Sequence, residues 1–547
     1  MRTERAAIAI IAAVFGAAVP CGAEFIEVAN PGFPDSYASG VWGDYNGDGY
    51  LDLLLGWEFL NTTKISRNLG GCFFKDLLLP VDGVADFPFS SGHPNWAAWA
   101  DFDRDGNLDF AIWGGAYQPG GSYQPWRTKL YRNNGNGTFT ALVNPLGGTA
   151  EIPGRWSHSC SWGDYDNDGD PDLAVCGSLY RNEGNGIFTA VNAGFQYVEN
   201  GDAAWGDFDN DGWLDLVLCG EYPIDYHHAF VYRNNGNGTF TALSGTGIPP
   251  MGNYPAVALG DYDNDGLLDI ALAGQLDNAG GTWQTGVWRN NGNGTFTAAN
   301  TSFPPLRQAS LAWGDYSADG CLDLAAIGAP YGGDPPVPSG VLFQGNAHGQ
   351  FTVDPSWMLQ YDDITEYSYA RWGDADNDGR LDLYLSWWSD ADGTNRLLRN
   401  VGDPAGPVNS WVNERPDAPT LALQYGAQFT GAVTLHWNAV TGDETPAAAM
   451  TYNLRVGTSP GACDVVSADA DSSHPTNNTL LGNVQNGTFA KLKVPAGNIA
   501  PKQYYWAVQA VDGGYRRSEW SRESMFVRPP KGAPIAKPTP GGATSTR

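Results

Sequence analysis

The sequence predicts an all-β fold: a seven-bladed β-propeller followed by a smaller β-sandwich. Three observations carry this prediction. A nine-residue acidic pattern recurs seven times, at intervals of 43 to 63 residues, a period that belongs to arrays and propellers. Each copy is framed by the same short strand signals. The 71 glycines and 13% aromatic residues suit many short strands joined by tight turns, whereas disorder would need fewer aromatics.

The first element is an export signal over residues 1–23. Arg2 and Arg5 supply the positive region, Ile8 to Val19 the apolar stretch, and Cys21-Gly22-Ala23 a small-residue cleavage site. The stretch has signal-peptide length and is too short to span a bilayer. No later stretch is apolar enough to do so, and the chain is expected to be secreted or held at the cell surface.

The repeating units fill residues 24–410. In each, a short strand ends in Trp-Gly (Trp42, Trp162, Trp205, Trp313, Trp372), with Trp99-Ala100 in the second unit and Leu259 in the fifth. One tryptophan per unit at a constant place is a core position. The acidic loop follows, then an apolar run such as Leu53-Leu54-Leu55, which reads as a strand buried on both faces. A variable segment leads to a third strand and a tight turn, as in Leu130-Tyr131-Arg132-Asn133-Asn134-Gly135-Asn136-Gly137-Thr138-Phe139. Asn-Gly pairs supply the positive φ angles that such a hairpin needs. That turn also accounts for recurring Asn-x-Thr sequons without any glycan. The chain beyond Phe139 is a fourth strand, and four strands per unit describe a propeller blade. The seventh unit lacks its fourth strand and runs instead into Asp403-Pro404-Ala405-Gly406-Pro407. Phe25-Ile26-Glu27-Val28, ahead of the first loop, is predicted to complete it, joining the chain ends and hiding a sheet edge.

The acidic loops read as calcium sites. Calcium takes six to eight oxygens at about 2.3–2.6 Å. Side chains at positions 1, 3, 5 and 9 can converge on one ion if the chain turns sharply at the position-6 glycine, while position 7 offers its backbone carbonyl. Positions 1, 3, 5, 7 and 9 are Asp44, Asn46, Asp48, Tyr50 and Asp52 in the first loop, and Asp101, Asp103, Asp105, Asn107 and Asp109 in the second. They are Asp164, Asp166, Asp168, Asp170 and Asp172 in the third, and Asp207, Asp209, Asp211, Trp213 and Asp215 in the fourth. The fifth has Asp261, Asp263, Asp265, Leu267 and Asp269, and the sixth Asp315, Ser317, Asp319, Cys321 and Asp323. The seventh has Asp374, Asp376, Asp378, Arg380 and Asp382. Four carboxylates brought together repel one another unless a cation neutralises them, so merely acidic turns are the poorer reading. Asn46 and Ser317 each remove one charge, making the first and sixth loops the weaker ones. Up to seven structural calcium ions are expected, which would offset about half of the net charge of −30. That same charge, with only 30 basic residues, excludes a basic nucleic-acid-binding surface.

The pattern Trp-Gly-Asp-Tyr-Asp-Asn-Asp-Gly with Tyr-Arg-Asn-Asn-Gly-Asn-Gly-Thr-Phe resembles FG-GAP (VCBS-type) repeats, found in the propeller head of integrin α chains, in bacterial surface proteins and in some fungal lectins. The likeness covers about residues 25 to 407. It implies calcium loops on one face and ligands on the opposite face, built from the variable segments. Tyr117, Tyr123, Trp126, Tyr222, Tyr226, Trp283, Tyr331, Trp387 and Trp388 lie in those segments. They are candidate ligand platforms, unless they pack their own loops. An extracellular carbohydrate or protein is the expected partner, bound by a monomeric propeller.

From Arg415 the grammar changes. Val433-Thr434-Leu435-His436-Trp437, Tyr452-Asn453-Leu454-Arg455-Val456 and Tyr504-Tyr505-Trp506-Ala507-Val508-Gln509-Ala510-Val511 alternate as strands, a sandwich signature. Trp437 and the Tyr-x-Trp-x-Val-x-Ala strand make residues 415–528 resemble a fibronectin type III module. Residues 529–547 are Pro/Gly/Thr-rich and expected to be disordered.

Cys72, Cys160, Cys176, Cys219, Cys321 and Cys463 remain after the leader and form no CxxC pair, so neither zinc nor redox chemistry is indicated. Cys176 and Cys219 occupy matching places in two units; small apolar packing is expected there, with a disulfide as the alternative. No HExxH or GxSxG motif accompanies the seven histidines, and the chain is read as a binding protein, not an enzyme. The alternative is a polysaccharide lyase on a calcium-stabilised propeller. It would draw a base from His158, His227 or His228 and charge neutralisation from Arg155 or Lys129.

Overall fold

The computed structural model describes residues 25–528. Excepted are 34–37, 58–62, 78–95, 118–122, 143–151, 154–159, 223–225, 277–280, 332–338, 360–363, 389–392, 403–415, 422–432, 448–449, 463–464, 467–487, 493–501 and isolated single residues. The leader, the tail, Cys176, Cys463, His158 and Arg155 lie outside this set, as do the side chains of Tyr117, Tyr123, Trp126 and Trp388. The described residues contain strands and no helix, and none is long and apolar enough to cross a membrane as a helix.

Seven antiparallel sheets follow one another along the chain, five with their four strands in sequence order; the second adds Ile152–Pro153 beside its third strand, and the seventh takes a strand from the start of the chain. The fourth blade is representative: Glu199–Gly206, Asp215–Glu221, His227–Asn234 and Phe240–Ala242. In the seventh, Glu366–Gly373, Asp382–Trp388 and Gly393–Asn400 are completed by Phe25–Glu27 from the start of the chain. Phe25 pairs with Asn400 and Glu27 with Leu398, the predicted exchange. The first strand of every blade touches the first strands of both neighbours, including the first blade against the seventh. Seven blades therefore close into a ring, an all-β propeller.

Three side chains repeat at the seams between blades. The Trp before the loop is buried (Trp42, Trp99, Trp162, Trp205, Trp313, Trp372). Its indole N–H donates to a carbonyl on the preceding inner strand: Trp99 to Val41 at 3.3 Å, Trp205 to Ser161 at 3.3 Å, and Trp42 to Arg371 at 3.4 Å across the closure. Leu259 leaves the fifth blade without this bond. The Asn after the third-strand Arg reaches the preceding blade in the same way. Asn234 Nδ2 donates to Tyr165 O at 2.8 Å, and Asn68 Nδ2 to Ala375 O at 2.7 Å. The Asn at loop position 4 reaches forward: Asn167 to Gly212 O at 2.7 Å, Asn210 to Gly266 O at 2.7 Å, and Asn377 to Gly49 O at 2.8 Å. These asparagines sit at positive φ (54–59°), which Asn tolerates better than other side chains.

A second core lies C-terminal to the ring, with Trp437, Tyr452, Leu454, Tyr504, Trp506 and Val508 at its centre. Val433–His436 pairs with Phe489–Leu492, and Thr451–Gly457 with Lys502–Val511 and Ser524–Arg528. Five described strands in two sheets agree with a sandwich but fall short of the seven that would assign a type III module. This unit touches the loop-bearing side of the ring. Tyr515 Oη donates to Trp313 O at 2.6 Å, Asp315 N to Gly513 O at 3.0 Å, and Arg104 Nη1 to Val465 O at 3.1 Å. Gly169, at φ +92°, lies so close that a Cβ there would stand 1.9 Å from Val465 O.

Replacing Trp205 by Leu, the type found at position 259, removes a buried indole and its seam bond. The expected cost is about 2–4 kcal/mol. A lowered denaturant midpoint with unchanged slope in urea unfolding would show it.

Candidate metal centres

Each acidic loop is organised by its own backbone before any ion is considered. In the fourth loop, Asp207 accepts from Asp211 N at 3.0 Å and from Gly212 N at 2.8 Å, and Asp211 accepts from Trp213 N at 3.0 Å. The same three bonds recur in the second loop (3.0, 2.9 and 2.9 Å) and in the weaker sixth loop (3.0, 2.8 and 2.9 Å). Position 9 opens the second strand, so its carboxylate is held by the sheet. Asp215 accepts from Asn234 N at 2.7 Å and Phe208 N at 3.1 Å. The turn is allowed by glycine at position 6, for example Gly212 at φ 85°.

Five loops bring carboxylate oxygens within 4.8 Å of one another. The groups are Asp101, Asp103 and Asp109; Asp164, Asp166 and Asp172; Asp207, Asp209 and Asp215; Asp261, Asp263 and Asp265; and Asp374, Asp376 and Asp382. Oxygens on opposite sides of a cation at about 2.4 Å would be separated by about that distance. These are the five loops whose positions 1, 3, 5 and 9 are all aspartate. In the first loop, Asn46 Nδ2 donates to Asp52 Oδ2 at 3.1 Å, placing a donor where the others present an oxygen. In the sixth, Ser317 N donates to Asp323 Oδ2 at 3.1 Å and Ser317 Oγ is 3.4 Å from Asp315 Oδ1.

The position-3 aspartates test the fit to a metal. Asp103, Asp209 and Asp263 each keep one oxygen, Oδ1, buried without a hydrogen-bond partner. Such an oxygen is costly unless something electropositive meets it. The other oxygen meets the third-strand Arg that precedes the seam Asn: Arg132 Nε is 2.7 Å from Asp103, Arg233 Nε is 2.7 Å from Asp209, and Arg289 pairs with both Asp263 and Asp265. Arg399 does the same for Asp376 and, at 3.1 Å, Asp378. These arginines, which sequence reasoning passed over, sit at a constant offset from the turn and could have been found by that spacing. An all-oxygen set with one unsatisfied inward oxygen suits a hard divalent cation such as calcium.

Protonation follows the same geometry. Burial, and then the neighbouring carboxylates, push Asp109 and Asp269 up to about 9 and Asp215 up to about 8, against the hydrogen bond from the seam Asn. Burial raises Asp207 and Asp261 to about 7. Asp164, Asp172 and Asp382 rise well above the usual carboxylate range for the same first cause. Without a cation, burial favours the protonated form of the position-9 carboxylates.

The aromatic candidates divide. Tyr222 and Tyr226 are exposed, at 44% and 61%. Trp283 and Trp387 are buried, the packed of the two alternatives the sequence left open. Trp283 packs on Tyr331 with ring centres 6.0 Å apart, and Arg396 lies over Trp387 at 4.9 Å. The lyase candidates do not assemble among the described residues: His227 and His228 are in the fourth blade and Lys129 is in the second. Cys219 is buried as a free thiol, as are Cys72, Cys160 and Cys321.

A family model described as an FG-GAP-like repeat matches residues 101–175 and 207–272. No curated protein matches the chain. Among solved structures, similarity extends to an Agrocybe aegerita lectin described for specific recognition of non-reducing terminal N-acetylglucosamine. The identity is 18%, the TM-score 0.40, and the match covers 71% of this chain and 96% of that one. It extends also to the extracellular domain assigned to a one-component system of B. thetaiotaomicron, at 10% identity and TM-score 0.37, covering 93% of this chain and 58% of that one. The chain thus spans less than two thirds of the second structure. The matched stretches cover the loops of blades two to five, and the same loop and strand order continues in the others, so the all-β propeller of this chain carries FG-GAP-like repeats.

Proposed function

We propose that the chain is an extracellular, calcium-loaded propeller that works by binding a carbohydrate or protein ligand, without catalysing a reaction. The observation that carries the calcium reading is the set of five carboxylate clusters, three of them with a buried, unpartnered oxygen at position 3. The ions are structural in this reading, because position 9 is also the first residue of a core strand. The first and sixth loops are the weaker sites. Export rests on the leader at residues 1–23, and extracellular calcium suits loops of this affinity class, with dissociation constants of about 0.1–1 mM. A ligand face free of metal loops is left on the other side of the ring, since the C-terminal unit sits on the loop side.

Thermal unfolding in calcium and in EGTA tests this reading. At about 2 mM calcium, a site of about 0.1 mM affinity contributes roughly 1.8 kcal/mol, so five sites are expected to raise the melting temperature by about 10 °C, reversibly. Equal melting curves in calcium and EGTA would contradict it.

The pH dependence has opposite signs in the two states. In EGTA, the position-9 aspartates Asp109, Asp215 and Asp269 titrate well above their unfolded value of about 3.9, so the folded state binds protons that the unfolded chain does not. Stability in EGTA is therefore full below about pH 4 and declines as the pH rises toward 8–9, through the raised values. Calcium displaces those protons, so its stabilising increment is expected to grow between pH 5 and 8. Melting temperatures measured across that interval with and without calcium check both trends. Asn46→Asp is expected to add one bound ion per chain, counted by native mass spectrometry.

A further inference from the structure

The C-terminal unit stands on two of the seven acidic loops. On one side, Val465 O accepts from Arg104 Nη1 at 3.1 Å and lies over Gly169, the position-6 glycine of the third loop, where a Cβ would stand 1.9 Å from it. On the other, Gly513 O accepts from the amide of Asp315, position 1 of the sixth loop, at 3.0 Å, and Tyr515 Oη donates to Trp313 O at 2.6 Å. Burial repeats this pattern. The position-7 residue is buried in the third and sixth loops (Asp170, Cys321) and partly exposed in the other five. The third and sixth blades are three steps apart by one way round the ring and four by the other, the widest separation that seven blades allow. A body seated on both crosses the ring axis and covers its loop-side mouth.

Both seats depart from the repeat in ways that suit the contact. Position 4 is Asn in the third, fourth, fifth and seventh loops, where it bonds the loop glycine of the next blade, as Asn264 does to Gly320 O at 3.0 Å. In the second loop it is Arg104, held at the same positive φ of 59°, which Arg tolerates less well than Asn. Its guanidinium is shared: Nε is 3.0 Å from Asp170 Oδ1 of the third loop, while Nη1 holds Val465 O. The side chain that elsewhere ties blade to blade here ties two blades and the C-terminal unit together. At the other seat, Tyr515 has φ 63°, the one residue besides glycine at positive φ among the described residues of this unit. Its ring packs on the core shared by blades six and seven. Strain persists where the surroundings over-determine a residue, and here the surroundings are the ring.

The docked surfaces are the loop turns themselves. Gly169 N donates to Asp164 Oδ2 at 2.8 Å, and Gly320 N to Asp315 Oδ2 at 2.8 Å, so the position-1 carboxylate shapes each seat. Where the four carboxylate positions converge on a cation, the turn is fixed; where they do not, like charges repel and the turn relaxes. We propose that the C-terminal unit is a calcium-dependent strap, held across the loop-side mouth of the ring while the third and sixth loops are loaded and released when they empty. The inference rests on the calcium reading above. Coupling of this kind is reciprocal, so docking raises the affinity of the same two loops. That reinforces the sixth, where Ser317 leaves the cage one carboxylate short, and makes it the loop at which release begins as calcium falls.

The Asp315 amide reports docking, because its hydrogen bond goes to Gly513 O. Its hydrogen exchange is followed by mass spectrometry with electron-transfer fragmentation on the full mature chain in millimolar calcium, and bound calcium is counted on the same samples by native mass spectrometry. Three variants are compared with the parent. Asp166→Ala takes a carboxylate from the third loop, across the ring from Asp315. Arg104→Asn restores the repeat's own residue and removes the bond to Val465 O. Asp263→Ala takes the equivalent carboxylate from the fifth loop, which adjoins the sixth but has no hydrogen bond to the C-terminal unit among the described residues. Expected is one ion fewer per chain in each aspartate variant. Exchange at Asp315 is expected to be roughly tenfold faster or more in Asp166→Ala and Arg104→Asn, and within about twofold of the parent in Asp263→Ala. Unchanged exchange in Asp166→Ala, with its ion lost, would overturn the strap and leave the calcium reading intact. Equal acceleration in Asp263→Ala would mean that the ring carries the effect, and would overturn it too. Unchanged exchange in Arg104→Asn would remove the third-loop seat and the proposal with it. An unchanged ion count in Asp166→Ala would overturn both the strap and the calcium reading of that loop.

Discussion

Everything in this propeller depends on the burial of carboxylates at the ends of the second strands. An aspartate removed from water beside two or three others is a severe electrostatic liability. Here it occurs repeatedly, and in the same register each time. Asp109, Asp172, Asp215, Asp269 and Asp382 are each at most 2% exposed, and each also anchors the end of the third strand through the backbone of the seam Asn. The charge cannot be moved to the surface without undoing the blade. A cation at the cluster resolves the conflict, and a proton is the poorer substitute. The third-strand arginines hold the outer oxygens of positions 3 and 5, which leaves the inner oxygens aimed at one another.

The same residues couple each blade to its neighbours. The seam Asn that caps position 9 also bonds the carbonyl of position 2 in the preceding blade, as Asn133 does to Tyr45 O at 2.8 Å. The position-4 Asn bonds the loop glycine of the following blade. A loop disturbed by loss of its ion would therefore be felt on both sides, and the closure between Asn377 and Gly49 extends that coupling around the ring. The sixth blade departs from this scheme at several points together. Ser317, Ala318 and Gly345 replace the position-3 Asp, the position-4 Asn and the seam Asn, and the C-terminal unit lies against it through Gly513 and Tyr515. Contacts from the second unit stand where repeat-encoded ones are missing.

Much of this was legible in the sequence because the signals are local. Loop spacing, Trp-Gly endings, Asn-Gly turns and the orphan strand Phe25–Glu27 each fall within a dozen residues, and the missing fourth strand of the last blade announced the exchange. Four carboxylates at 1, 3, 5 and 9 likewise separated the five complete loops from those carrying Asn46 and Ser317. What was not legible depends on distant partners. The reach of Asn377 to Gly49 spans 328 residues, and Arg104 reaches Val465 only because the C-terminal unit rests on the loop face. For Trp283 and Trp387 the choice between ligand platform and packing stayed open in the sequence, because a variable segment and the buried end of a strand look alike when both are aromatic.

The central claim is that the acidic loops are cation sites built into the blades. Native mass spectrometry of the mature chain, desalted and then titrated with calcium, measures it most directly. The account predicts at least five calcium ions per folded chain at millimolar calcium, with one fewer after Asp209→Ala. A folded chain that takes up none, or whose count is unchanged by that substitution, would contradict it.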